Sequence, residues 1–381
     1  MAAFLRFEGC QCFRQRLVFS TLSGRAIRID AIRMQDDNPG LREFEASFLR
    51  LIEKCTNGCV VEINETGTSL RYRPGVIICG PGLSHDCSTG RSLGWFMEPI
   101  IILALFAKKN LSITLKGITS DQLDPGVDVL RTVTMPLLKR LGIDDSGLEL
   151  KVVKRGARPL GGGEVHLRVP LVKELPCINM TDEGMVKRIR GVSYSMKVSP
   201  QNTNRMVDGV RGVLNDYLAD VFIFTDALSG SASGLSPGFG VTLVAETTSG
   251  CLISAEESAT TRQREGEGEQ SEEALQRGDQ EPLIVPEDIG QAAAHALLEE
   301  IRRGGAVDSS HQPLILTLCA LAPKQIQQVR LGPLTAQAVR TLRHLKEFFG
   351  VVFDIRTEPE SKTVFLSCVG SGLKNVARKT M

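Results

Sequence analysis

Arg155-Gly156-Ala157-Arg158-Pro159-Leu160-Gly161-Gly162-Gly163-Glu164-Val165 sets two arginines and a proline ahead of three consecutive glycines. Glycine reaches positive φ without steric cost and lets a ligand or a second backbone approach closely. Successive N–H groups in such a loop can form a nest for an anion, with the forked guanidinium groups of Arg155 and Arg158 as its rim. A phosphate-type site at Gly161, Gly162 and Gly163 is one reading; a hairpin loop with solvated arginines is the other. Further anion candidates are Arg14 and Arg16, at the start of a helix whose dipole favours negative charge, and Arg33. Arg14 and Arg16 do not share a helix face, so one of them at most is expected to point into a common pocket. Solvation or pairing with carboxylates is the alternative for each arginine. Lys187, Arg188 and Arg190 form a basic run that suits RNA phosphate, an acidic segment or plain solvation. His85-Asp86-Cys87 has the residue types of a nucleophile–base trio, but neighbours on a strand or turn seldom converge. Ser236–Gly240 reads as a turn into a buried strand, because no Lys-Ser/Thr follows it as in a phosphate loop.

The chain has 381 residues, 42% hydrophobic and 23% charged, which suits a globular protein of two or three domains. One Trp and three Tyr leave few platforms for base stacking. The net charge of +1 hides an asymmetry: residues 256–281 carry nine acids and three bases. A mildly basic body with an acidic loop is compatible with a polyanionic partner. The ten cysteines lack CxxC pairs and the five histidines show no ligand spacing, so no metal site is expected. Structural thiols in a reduced compartment are the reading for the cysteines. The N-terminus shows no secretory pattern, and the apolar run 100–107 is too short for a membrane span.

One pattern recurs three times: helix, strand, short loop, second helix, hairpin of strands. In the first copy a helix is expected over 13–22 with Gly24 past its end, then a strand over 26–32. Asn38-Pro39 opens the second helix as cap and first residue, and strands follow over 60–73. The second copy runs through a helix near 93–107, a strand over 111–115 and a helix from Asp124-Pro125 to Leu141, kinked at Pro136. Its hairpin carries Gly161, Gly162 and Gly163. The third copy starts with a helix over 287–303, followed by a helix over 311–320, a strand, a helix over 335–349 and a hairpin over 351–369. Each copy alone buries too little surface. Three small β-sheets with two helices each are therefore expected to form one large α/β (α+β) domain. An inserted small α/β domain ends in an acidic, aperiodic tail expected to be disordered, a short helix over 271–276 being the other reading. The expected division is 1–180, 181–282 for the insertion and its tail, and 283–381.

The signature Arg-Gly, two residues, Pro, one residue, Gly-Gly-Gly resembles that of the RNA 3′-terminal phosphate cyclase family. The resemblance covers nearly the whole chain, with Pro39-Gly40-Leu41, Ser236–Gly240, Gly304-Gly305-Ala306-Val307-Asp308 and Gly332-Pro333 among the similar segments. It implies a fold of three repeated units with an inserted domain. It also implies ATP chemistry: a covalent histidine–AMP, transfer of AMP to an RNA 3′-phosphate, and ring closure by the 2′-hydroxyl. That needs an imidazole nucleophile and cations around the triphosphate. Gln337 stands where the family's histidine is expected after Gly332-Pro333, and an amide cannot form the phosphoramidate. His344 lies two helical turns further on. Asp36, Phe44-Glu45 and Pro313-Leu314 replace other positions of the active enzymes, and together with Gln337 they oppose ATP activation. These departures are similar to the family's cyclase-like branch. That branch implies no catalytic residue and no cofactor. It implies a nucleolar role in 18S pre-rRNA processing in the small-subunit processome, with a large ribosome-biogenesis GTPase and pre-rRNA as partners and no membrane. A pre-rRNA endonuclease and an ATP-dependent cyclase are the alternatives; no carboxylate cluster stands out for metal-assisted cutting.

Overall fold

The computed structural model describes residues 4–144, 146–259 and 284–375. It is a mixed α/β structure of small four-stranded sheets packed with helices. Leu5–Glu8 (β1), Ile27–Asp30 (β2), Val60–Ile63 (β3) and Leu70–Arg73 (β4) form the first sheet in the order β1-β2-β4-β3. β1 runs parallel to β2 and the other pairs are antiparallel. Leu83–Asp86 (β5), Leu111–Gly117 (β6), Glu149–Lys154 (β7) and Gly163–Val169 (β8) repeat that order and those directions as β5-β6-β8-β7. Asn179–Met180 (β9) begins a third set and the insertion interrupts it. Val186–Met196 (β10), Val221–Leu228 (β11), Gly238–Thr247 (β12) and Leu252–Ala259 (β13) form the inserted sheet, β11-β10-β12-β13. The chain returns with Ile326–Leu331 (β14), Phe353–Glu358 (β15) and Thr363–Val369 (β16), and β9-β14-β16-β15 repeats the pattern once more.

Each repeat thus has two strands ahead of its hairpin, where the sequence pattern showed one. β1 and β5 have four residues and β9 has two, too short to display an alternating period. The acidic tail beyond residue 259, including the alternative helix over 271–276, lies outside the described residues. Glu256 to Ala259, counted with that tail, belong to β13 instead.

The helices are Phe13–Ser23 (α1), Glu43–Cys55 (α2) and Leu93–Leu105 (α3); then Val127–Val129, a π turn Leu130–Thr134 and Met135–Arg140, together α4; then Gln201–Leu214 (α5), Pro286–Arg303 (α6), Gln312–Leu321 (α7) and Ala336–Phe349 (α8). All ten residues of α7 are buried, as is every residue of α3 except Glu98. A helix apolar on all sides belongs in the middle of a fold, whereas α2 and α8 carry one apolar stripe and polar outer faces. Residues from all three repeated sheets share one hydrophobic core.

Three local expectations are corrected. α2 begins at Glu43, not at Asn38-Pro39. Gly40 takes φ 92°, and a Cβ there would meet the Thr66 carbonyl at 2.5 Å, so the chain turns against that loop before the helix can start. The kink at Pro136 takes the form of the π turn just before it. Proline donates no N–H and its ring crowds the carbonyl four residues back, so the helix widens there. Finally, α6 does not open the third repeat. Its Ala293, Ala294 and Leu297 pack with Val207 and Val210 of α5 and with Val241, Leu243 and Ala245 of β12, in a core separate from the main one.

Candidate functional site

The first turns of α1, α2 and α8, the start of α3 and the loops ahead of α4 and α7 converge on a cleft of about 420 Å³. Helix N-termini present partial positive charge and free N–H groups, so the field there favours anions. Arg14, Arg33 and Gln337 all line this cleft, joined by Arg91 and Arg340, which the sequence reading did not single out. Arg340 follows Gln337 by three residues on α8, a same-face spacing that could have revealed it. Arg16 turns inward instead. It donates to the Gly9 carbonyl at 2.8 Å and lies 4.7 Å from the Phe7 ring, and burial lowers its pKa.

The cleft arginines already have partners. Arg14 donates to the Trp95 carbonyl at 2.7 Å and pairs with Glu98 at 2.8 Å. Arg33 grips Glu45 through two bonds of 2.7 and 2.9 Å, which raise its pKa. Arg91 does the same to Asp124, at 2.7 and 2.6 Å, and lies over the rings of Phe44 and Trp95. The carboxylates of Glu45 and Asp124 are almost fully buried. Burial pushes the Asp124 carboxyl up in spite of Arg91. Stripping one member from such a pair strands a buried charge at a cost of about 3–5 kcal/mol. A polyphosphate entering here would have to displace bidentate carboxylates. Arg340 differs: it is exposed and has no carboxylate partner among the described residues. Its neighbour is Cys12, whose thiol burial pushes up while Arg16 and Arg340 oppose.

The glycine loop lies elsewhere and is filled by protein. Arg155, at 1% exposure, pairs through both terminal nitrogens with Asp128 of α4, and through Nε with Asp226 of β11 at 2.9 Å. It also stacks 4.7 Å from the Tyr194 ring of β10. Arg158 donates to Asp121 at 2.9 Å and to the Gly90 carbonyl at 2.8 Å. The Gly161 carbonyl accepts from the Leu235 N–H at 2.9 Å, and the Leu160 N–H donates to Ser236 Oγ at 3.0 Å. A Cβ on Gly156 would meet the Gly163 nitrogen at 2.3 Å, and one on Gly234 would meet the Gly161 carbonyl at 2.3 Å. The close approach that Gly161, Gly162 and Gly163 permit is therefore to another backbone. Arg155, Arg158 and these glycines make a joint between the second repeat and the insertion, and their expected anion rim holds the protein's own carboxylates. Asp128 and Asp226 lie 27 and 71 residues from Arg155, beyond the reach of any spacing argument.

None of the five histidines, all among the described residues, lines the cleft. His344 Nδ1 meets Gln15 at 2.8 Å beside the rings of Phe7 and Phe348, and burial pulls its pKa down to about 4. His311 is enclosed by Asp308 at 2.7 Å and Thr134 at 2.8 Å. His85 faces inward to Ser47 at 3.0 Å, while strand alternation turns Asp86 outward. Among the described residues no group of three or more His, Cys, Asp or Glu is placed to hold a metal. No described helix is long and apolar enough to cross a membrane.

A family model described as RNA 3′-terminal phosphate cyclase matches residues 5–355. The chain belongs to the RNA 3′-terminal phosphate cyclase family. It is 48% identical over 376 residues to the probable RNA 3′-terminal phosphate cyclase-like protein of Dictyostelium discoideum, covering 99% of this chain and 100% of that one. The human RNA 3′-terminal phosphate cyclase-like protein is 48% identical over 380 residues, covering 98% and 97%. The rRNA processing protein rcl1 of Schizosaccharomyces pombe is 46% identical over 378 residues, 98% of each. Within the cyclase family, then, this chain sits among relatives that carry the name cyclase-like.

Proposed function

We propose that this chain is a non-catalytic cyclase-like factor of small-subunit (18S) pre-rRNA processing and 40S ribosome biogenesis. It acts as an adaptor that brings pre-rRNA and a large ribosome-biogenesis GTPase together in the small-subunit processome of the nucleolus. The observation that carries this reading is the state of the cleft. Gln337 occupies its wall with no imidazole beside it, and Arg14, Arg33 and Arg91 are bound to Glu98, Glu45 and Asp124. Adenylate transfer needs a nucleophilic lone pair aimed at the α-phosphorus and cations free to hold the triphosphate. An amide nitrogen lends its lone pair to its own carbonyl, and the guanidinium groups are already neutralised. What the cleft retains is Arg340 and several helix N-termini, enough for a single phosphate or a partner carboxylate. The name of the fission-yeast relative supports the processing role.

The test has two arms. Protein incubated with α-labelled ATP and Mg²⁺ is expected to carry no acid-labile AMP. Affinity capture from nucleolar extract is expected to return a biogenesis GTPase and pre-rRNA. Covalent label on the protein, or capture of neither partner, overturns the reading. Site-specific cutting of a pre-rRNA fragment by the purified protein would replace the adaptor with an endonuclease.

A further inference from the structure

A groove of about 550 Å³ opens between α4 and one face of the inserted sheet. Val192, Phe222, Phe224 and Val244 line it from the sheet, Val133 and Leu137 from α4. Phe222 and Phe224 stay 57% and 58% exposed. Both sit on β11, the edge strand, which pairs with β10 along eight residues and has no strand on its other side among the described residues. An exposed apolar edge of that length is a template for another strand.

Thr242 gives an independent sign. Its hydroxyl lies in the groove wall, the residue is 2% exposed, and the oxygen has no hydrogen-bond partner among the described residues. Buried hydroxyls without a partner are uncommon and unfavourable, and a bound segment would supply one. The rim is cationic. Arg140 and Arg190 line the groove and Lys187 and Arg188 flank it; Asp220 holds Arg190 at 2.7 and 3.0 Å, and Lys187 and Arg188 share Glu246, which leaves four bases against two carboxylates. Arg140 meets the Cys251 sulfur at 3.4 Å and no carboxylate among the described residues.

We propose that this edge and groove dock an extended, apolar and acidic segment of a partner protein. The segment adds a strand beside β11 and sets alternate apolar side chains between Phe222, Phe224 and α4. Its carboxylates reach Arg140, whose side chain meets no carboxylate among the described residues. The inference stands on groove and edge alone and does not need the adaptor reading of the cleft.

The test uses the full chain and a fluorescent peptide of about nine residues, near the upper end of usual strand lengths and enough to span β11, alternating Val and Thr with glutamate at both ends. A twin peptide ends in lysines. The acidic peptide is expected to bind and the lysine twin to bind about tenfold more weakly or worse. Phe224→Asp, at an exposed position, is expected to abolish binding with the circular dichroism unchanged. N-methylating one alternate set of peptide amides is expected to abolish binding, and methylating the other set to leave it intact, because a strand offers only one side to an edge. Absence of binding, equal binding of both peptides, or indifference to which set is methylated overturns the proposal. Self-association of the free protein that Phe224→Asp removes would overturn it too, assigning the edge to a second copy.

Discussion

Arg33 and Arg155 both hold carboxylates, yet one lines a cleft and the other is sealed inside a joint. Arg33 meets Glu45, twelve residues away in the same repeat, and keeps 14% of its side chain exposed. Arg155 meets Asp128 and Asp226 across two parts of the chain and keeps 1%. A nearby carboxylate neutralises a cation where it stands and leaves the space around it open. Distant carboxylates turn the cation into a rivet. The same side chain therefore lines an open cleft in one place and builds architecture in the other.

The largest effect that tests this contrast is Asp128→Ala, which removes the bidentate, fully buried partner of Arg155 and leaves it Asp226 alone. It is expected to lower stability by about 3–5 kcal/mol in denaturant unfolding; a change near zero would dissolve the distinction.

Next comes a pH dependence at the same joint. Glu256 of β13 accepts the Gly126 N–H at 2.7 Å, and desolvation, with Asp128, Asp121 and Asp308 nearby, pushes its carboxyl up to about 8 against an ordinary 4.5. The folded chain therefore holds a proton that the unfolded chain releases between those values. Its contribution favours folding most at the acid end and is lost as pH rises from about 4.5 to about 8. Glu256→Gln is expected to flatten that limb of the stability profile, and an unchanged slope would exclude Glu256 as its source. Gly156→Ala forces a Cβ against the Gly163 nitrogen and is expected to destabilise by about 1–3 kcal/mol, with RNA affinity of the folded fraction unaltered.

The smallest effects belong to the cleft. Glu98→Gln removes the charge paired with Arg14 in a largely buried pair, while the amide can still accept its hydrogen bond, and is expected to lower stability by about 1 kcal/mol. Affinity for a short single-stranded RNA is expected to rise about tenfold or more, as one charge-assisted hydrogen bond worth about 1.5 kcal/mol becomes available. Arg340→Ala is expected to weaken RNA binding and to reduce the salt slope by about one. If neither variant moves RNA affinity, the cleft is not where RNA binds.

Much of this arrangement is legible in the sequence. Hydrophobic period and turn residues located most helices and the recurrence of the hairpins, and Arg14, Arg33 and Gln337 do meet in one cleft. Local rules ran out where partners are remote. An amphipathic stripe on α6 says that the helix covers something; only packing shows that it covers the inserted sheet. A triple glycine says that something comes close; only the fold shows that it is the loop through Gly234 and Leu235. The carboxylates Glu98 and Asp124 sit 84 and 33 residues from their arginines, and no short motif links such pairs.

Glu183, just past β9, accepts the Gly305 N–H, and Gly305 in turn bridges to Leu331 on β14. The outgoing and returning stalks of the insertion therefore run side by side at one corner of the third sheet. A module hung from adjoining stalks asks little closure entropy of its host, since the ends meet whatever lies between them. Such a stem lets the inserted part lengthen, shrink or be exchanged by design while the threefold frame keeps its register.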